Sequence, residues 1–139
     1  MDAKEYLQQA FKIDRIIKSK LEQVARLESL ATSASQSFSQ TGPSAHDDSK
    51  GSKLENLVVS IVDLKEEAQK QMEELAKRRL EISKTISGVG NLTLQYVLEE
   101  RYLLYKTWDE IRGEMGFSQD YLFRLHRRGL EQVDHLINS

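Results

Sequence analysis

Thirteen residues near the C-terminal end, running from Ser118 to Leu130, hold the densest set of side chains suited to recognition chemistry. Leu122, Leu125 and Leu130 fall at helical spacing. A helix here buries those three and turns Ser118, Gln119, Asp120, Tyr121, Phe123, Arg124, Arg127 and Arg128 outward. These outward groups suit hydrogen bonding to the edges of base pairs and to phosphates. An Arg can pair bidentately with guanine and a Gln with adenine, and an Asp can accept from cytosine. That assigns Arg124, Gln119 and Asp120 to base edges. Arg127 and Arg128 lie further along and suit phosphates. Three arginines against one aspartate give the stretch a local charge of +2.

The residues just before it are suited to aim such a helix. Thr107 and Glu110 have the spacing of a capping box, which starts a short helix with Ile111 and Met115 on its inner face. Gly116 permits a tight turn with positive φ. Phe117 is the apolar plug after the turn, and Ser118 can N-cap the next helix. A short helix, a glycine turn and a second helix form the helix-turn-helix pattern, whose second helix (about 118–130) docks in the major groove of DNA. Ile111, Met115, Phe117, Leu122 and Leu125 are the wedge that sets the angle between the two helices. The plainer alternative is a helical hairpin that never meets DNA. Residues 99–139 carry six basic and eight acidic side chains. Phosphate contacts supply much of the affinity for DNA, so this module is expected to bind weakly alone, or as one arm of a dimer or larger complex.

Two long helices precede the module. Asp2 and Glu5 have capping-box spacing, and Tyr6, Leu7, Ala10, Ile13, Ile17, Leu21, Val24, Leu27 and Ala31 form one stripe. The implied helix, residues 3–31, is roughly 43 Å long. Ser-rich residues 32–53 show no apolar period and read as a flexible loop, with Phe38 the one side chain able to tether it. Ser52 and Glu55 then read as the start of a second helix. Its stripe is Leu54, Leu57, Val58, Ile61, Leu64, Ala68, Met72, Leu75, Arg79, Ile82 and Ile86. The steps alternate three and four except for a stutter at Leu64–Ala68–Met72. This helix is roughly 50 Å long, and two seams of matched length imply an antiparallel hairpin. Gly88 is the expected C′ residue, Asn91 the expected N-cap, and a third helix is expected over Leu92–Tyr105. The tail after Leu130 either extends the last helix through Val133, Leu136 and Ile137 or packs back on the domain.

Composition agrees with a thin helical protein. The chain has 139 residues, 39% hydrophobic and 30% charged, with one Pro and no Cys. Its mean hydropathy is −0.55. No thiol chemistry is available, no apolar run approaches a membrane span, and Met1–Glu5 shows no signal-peptide pattern. A net charge of −2 confines any nucleic-acid role to a local surface. No phosphate-cradling loop, Ser-His-Asp order or paired carboxylates are visible, so no enzyme, catalytic residue or cofactor is expected. His46, His126 and His135 lack ligand spacing, so no metal is expected either, although His126 could touch a phosphate. Trp108, beside Tyr102 and Tyr105, reads as core packing, and Lys77-Arg78-Arg79 as a solvated flank.

The core Glu110-Ile111-Arg112-Gly113-Glu114-Met115-Gly116-Phe117-Ser118, through Leu122, is similar to region four of sigma-70-type RNA polymerase sigma factors. The position after Ile111 is usually Ala there. Here it is Arg112, with Gly113 relieving the crowding or Arg112 snorkelling outward. The runs Glu5–Ala10, Leu21–Leu27, Ile61–Leu64, Glu99–Trp108 and Tyr121–His126 resemble small phage and prophage proteins of Gram-positive bacteria, described as ArpU-type transcriptional regulators. The resemblance implies a phage-derived, DNA-binding transcriptional regulator in the bacterial cytoplasm, on the nucleoid when bound. The expected fold is all-α. A long antiparallel two-helix coiled coil (1–87) precedes a compact helical domain (91–139) with a sigma-region-4-like helix-turn-helix. Expected partners are double-stranded DNA, RNA polymerase and a second copy of the chain, with no membrane and no small-molecule substrate. The competing expectation is an interaction protein whose coiled coil docks on RNA polymerase or another phage protein without binding DNA.

Overall fold

The computed structural model describes the backbone of residues 1–40 and 48–139 and the side chains of 1–34 and 51–139. Among the described residues the protein is entirely helical, without strands. The helices are α1 (Ala3–Gln40), α2 (Asp48–Ser87), α3 (Leu92–Tyr102), α4 (Trp108–Met115) and α5 (Gln119–Asn138).

The polar residues at the helix starts do what their types allow. Asp2 Oδ1 accepts the Glu5 N–H at 2.8 Å. Asn91 Oδ1 accepts the N–H groups of Thr93 and Leu94 at 2.9 and 3.1 Å. These bonds satisfy donors that the first turn of a helix leaves without partners. Asp134 Oδ1, on α5, takes another such donor, the Ala3 N–H, at 2.7 Å.

The long helices exceed their sequence bounds. α1 continues through 32–40, and α2 starts at Asp48, which leaves Ser52 inside the helix rather than at its cap. Extending an existing helix is far easier than nucleating one, and Ser costs only a few tenths of a kcal/mol more than Ala there, so a Ser-rich end need not break it. The middle of the expected loop, 41–47, lies outside the described residues, as do the side chains of Phe38, His46 and Asp47.

Two turns also differ from expectation. α3 stops at Tyr102 rather than Tyr105, and Tyr105 has φ +58°. With the chain so turned, the Lys106 N–H returns to the Glu100 carbonyl at 3.0 Å. A side chain in this left-handed conformation costs roughly 1–2 kcal/mol. Contacts within the same compact unit hold it there. Arg79 Nη2 donates to the Leu103 carbonyl at 2.8 Å, and the Tyr105 ring meets Phe11 edge-on at 5.4 Å. Arg79, expected both in the stripe of the second helix and in the solvated Lys77-Arg78-Arg79 flank, is therefore a structural side chain, as its place in the stripe implies. Gly88 is not a left-handed cap, because Gly116 is the glycine with positive φ among the described residues. A Cβ at Gly88 would instead stand 3.2 Å from the Thr85 carbonyl oxygen and 3.3 Å from Leu136 Cδ1.

The chain divides into two compact units, Met1–Asp14 with Glu74–Ser139, and Arg15–Glu73. The sequence division at 87/91 is drawn elsewhere. The reason lies in the first unit's core, where Ala3, Leu7 and Ala10 of α1 and Ile82 and Ile86 of α2 are buried with residues of the three short helices. Leu94, Val97, Leu98 and Tyr102 come from α3, Ile111 from α4, and Leu122, Leu125 and Val133 from α5. Val133 is fully buried, so the tail after Leu130 both prolongs α5 and packs on the core. At Gly129 a Cβ would sit 3.2 Å from Leu98 Cδ1, so the missing side chain lets α5 approach α3.

The second unit is thinner. Its buried apolar side chains among the described residues are Ile17, Val24, Ile61 and Ala68. Lys20 pairs with Glu67 at 3.2 Å and Lys65 with Glu28 at 2.8 Å. Leu21, Val58 and Met72, assigned to the stripes by spacing, are exposed.

Gly129→Val places branched methyls against Leu98, which is fully buried and already 3.2 Å from an added Cβ. Overpacking of this kind costs about 1–3 kcal/mol. Urea unfolding of Gly129→Val should show that loss, with Gly90→Val, where nothing lies within 4 Å of the added Cβ, as the tolerated control.

Candidate functional site

The segment from Thr107 to Arg128 is built from two capped helices around one glycine. Thr107 Oγ1 accepts the Glu110 N–H at 3.2 Å and opens α4. α4 ends at Gly116, φ 69° and ψ 24°, whose N–H reaches the Arg112 carbonyl at 2.9 Å. Ser118 Oγ accepts the Tyr121 N–H at 3.2 Å and opens α5. Ile111, Leu122 and Leu125 are buried, while Met115 and Phe117 pack against the same core half-buried. The five side chains named as a wedge from sequence therefore share one core.

All eight side chains expected on the outer surface are exposed: Ser118, Gln119, Asp120, Tyr121, Phe123, Arg124, Arg127 and Arg128. They are not equivalent. The Tyr121 ring lies edge-on to Phe117 at 4.8 Å, and the Arg124 guanidinium carbon stands 5.7 Å from the Tyr121 centroid. Phe123 meets Trp108 edge-on at 5.5 Å. These aromatic contacts pin the two rings at the base of the exposed surface. Helical spacing puts Asp120, Arg124, Arg127 and Glu131 on one outward face, with an acid at each end of the basic pair.

The remaining basic side chains of this region are engaged elsewhere. Arg112 is exposed and pairs with Asp109 at 3.5 Å, and a Cβ at Gly113 would meet open space. Of the two expectations for Arg112, the outward one describes it. Lys106 Nζ bonds both oxygens of Glu114, at 3.0 and 2.9 Å, and also pairs with the buried Glu100. Bonds to Glu100 first, and then Glu114, hold its pKa well above the ordinary lysine value. The pairing compensates the Glu100 carboxylate, which would be costly to bury alone.

Behind the exposed surface lies an aromatic cluster that spacing does not reveal. Trp108 is half-buried, in line with the core role expected of it. The Arg101 guanidinium carbon sits 4.6 Å from the Trp108 ring centroid, and the His126 ring contacts the same indole at 4.6 Å. His126 Nε2 and the Tyr102 hydroxyl share a hydrogen bond of 2.7 Å. Burial pushes the His126 pKa down to about 4, with Lys4 and Arg101 adding repulsion. Burial pushes Tyr102 up to about 12. His126 is therefore neutral at pH 7 and turned inward, which removes it as a phosphate partner. Arg101 and Tyr102 had no periodic signal beyond helix packing, because the partners that give them meaning are 7 to 24 positions away.

Among the described residues no group of three or more His, Cys, Asp or Glu could hold a metal ion. No helix among them is long and apolar enough to cross a membrane. The geometry thus defines an all-α protein whose densest cluster of polar, outward side chains lies on α5. Residues 41–134 match the family described as "Protein of unknown function (DUF1492)", and the chain belongs to that family. No curated protein and no solved structure matches it.

The two glycines of α4 and its turn should respond oppositely to alanine. Gly116→Ala forces a side chain into the left-handed region and should cost about 1–2 kcal/mol. Gly113→Ala, in an open helical position, should stabilise by roughly 0.5–1 kcal/mol. Thermal melts of the two variants check both signs.

His126 predicts the acid side of the stability curve. Its folded pKa lies below its unfolded value, so the unfolded chain takes up a proton first as pH falls. Its contribution is intact above 6.5, declines as pH drops towards 4, and levels off below. Urea unfolding across that range should show this component, and His126→Asn should lack it.

Proposed function

We propose that this protein is a phage- or prophage-derived, DNA-binding transcriptional regulator. α4 and α5 act as a helix-turn-helix resembling sigma region four, and α5 reads the major groove. The observation that carries this reading is the left-handed turn at Gly116 between two capped helices. It leaves Ile111, Leu122 and Leu125 in the core and all eight recognition candidates exposed. That is the division of labour the motif requires, because base edges can be reached only by side chains the fold does not use.

In this reading Arg124 pairs with a guanine, Gln119 with an adenine, and Asp120 accepts from a cytosine. Arg127 and Arg128 bind phosphates, and Ser118 and Tyr121 contact the backbone at the start of α5. Phe123, pinned by Trp108, contributes apolar contact at the edge of the surface. Few free cations remain, so affinity rests on few phosphates and calls for a second copy of the chain or RNA polymerase as a further anchor. The hairpin of α1 and α2, read as an antiparallel coiled coil, supplies that surface. The ion pairs Lys20–Glu67 and Lys65–Glu28 support the antiparallel order, since the later α1 position meets the earlier α2 position. The place of action is the bacterial cytoplasm, on the nucleoid.

A second reading, an interaction protein whose coiled coil docks on RNA polymerase or another phage protein without DNA, has one observation in its favour. Val58, Val59 and Val62 are exposed together on α2.

Selection of randomised duplex DNA on the full chain, at two salt concentrations, separates the two. The DNA reading requires an enriched motif. Arg124→Ala should weaken binding by about 1–3 kcal/mol and relax specificity at one base pair. Arg127→Ala should weaken all sequences alike and lower the salt slope by about one. Absence of any enriched sequence at either salt would transfer the assignment to the interaction protein.

A further inference from the structure

The aromatic cluster opens on one side into a cleft of about 260 Å³, lined by Gln8, Phe11, Arg101, Tyr102 and Tyr105. All five belong to the same compact unit. Three rings line its walls. Its polar groups are one guanidinium, one amide and two phenol hydroxyls, of which that of Tyr102 is bonded to His126 and that of Tyr105 accepts from Arg79 at 3.4 Å. That is the composition of a small-ligand site: largely aromatic lining with few convergent polar atoms.

Arg101 is what singles the cleft out. It is half-buried, with its guanidinium carbon 4.6 Å from the centroid of the Trp108 ring. Its Nη1 donates to the Lys106 carbonyl at 2.9 Å. Among the described residues no carboxylate comes within 4.0 Å of its nitrogens, although Lys106, Arg112, Lys20 and Lys65 all have such partners. A guanidinium has five N–H donors, and the one carbonyl and the indole face compensate the desolvation of this half-buried cation only in part. Besides Arg101, the charges within reach of Tyr102 and His126 are Asp2 and Lys4, and those within reach of Tyr105 are Arg79 and Asp14, two of each sign. The backbone adds a second, independent observation. Tyr105, in the wall of the cleft, is the non-glycine residue at positive φ among the described residues, and strain of this kind gathers at ligand sites.

We propose that this cleft binds a small aromatic carboxylate. The carboxylate pairs with the free edge of Arg101, whose planar fork matches it bidentately. The ring lies against Phe11, Tyr102 and Tyr105, and Gln8 offers a donor and an acceptor at the rim. A single lining cation favours a singly charged anion over a phosphate dianion. The volume admits a molecule of roughly ten to fifteen heavy atoms, below the usual range for drug-sized ligands. The site is independent of the DNA reading. Its residues come from α1, α3 and the turn after α3, which is why sequence spacing implies no small molecule.

Trp108 is the only tryptophan and lies under Arg101, so its fluorescence reports on the site. The experiment titrates the full chain with benzoate, its neutral isostere benzamide, and phenyl phosphate, followed by Trp fluorescence and backbone amide shifts. Saturable binding of benzoate is expected, with shifts centred on Gln8, Phe11, Tyr102 and Tyr105. Benzamide should bind roughly tenfold or more weakly, the worth of a charge-assisted hydrogen bond. Arg101→Lys should weaken binding and Arg101→Gln abolish it, with helix content unchanged. If Arg101→Gln does not fold, Gln8→Ala and Phe11→Leu test the same cleft without touching Trp108, and both should weaken binding. A response that fails to saturate, equal binding of benzamide, or shifts elsewhere would overturn the proposal. Tighter binding of phenyl phosphate than of benzoate would overturn the carboxylate assignment.

Discussion

The seating of α5 on α3 is the constraint on which the first compact unit depends. Leu98 lies so close to Gly129 that a side chain there would have to push it back by a few tenths of an ångström, so the two helices meet at a separation that favours glycine. From that contact the rest of the unit follows. Leu122 and Leu125 fall to one side of Gly129 along α5, and Val133 to the other, all buried. α4 packs on α3 and adds Ile111 to the same buried cluster, and the outward face of α5 is what remains. Close packing of this kind has few alternative solutions, which gives a short helix a defined orientation.

Polar links join distant stretches of the chain to this core. Asp134 on α5 caps the start of α1 by accepting the Ala3 N–H, 131 positions away. Arg79 on α2 closes the carbonyl of Leu103 beyond α3, and the Tyr6 hydroxyl meets Thr85 at 2.8 Å. Lys106 joins α3 to α4 through Glu100 and Glu114. None of these is worth much in isolation when partly exposed. Their value lies in register, because each satisfies a group that would otherwise be left unpaired by a helix end or by burial.

The aromatic cluster divides the basic side chains into two populations. Arg79 and Arg101 spend their guanidinium groups on carbonyls and rings inside the unit. Arg124, Arg127 and Arg128 stay at the surface. Charge counts along the chain cannot separate the two, since Arg101 and Arg124 look alike in composition. What distinguishes them is a backbone carbonyl within reach of the guanidinium, and the turn after α3 supplies it in both cases, at Leu103 and Lys106.

Local chemistry was legible in the sequence. The caps at Asp2, Asn91, Thr107 and Ser118 and the left-handed Gly116 follow from residue type within four positions, because capping bonds and φ preferences are short-range. The inner faces of α4 and α5 were legible for a similar reason, since 3.6-residue periodicity is set by the helix alone. The Ser-rich ends of α1 and α2 carry no apolar period and so give no helical signal in the sequence, yet weak helix formers continue a helix already nucleated. Left to tertiary structure were the grouping of residues 1–14 with 74–139, the stop of α3 at Tyr102, the inward turn of His126 and the cleft at Arg101. Each depends on which distant surfaces meet, and that is decided by the volume and polarity of all the packed side chains together rather than by any local run.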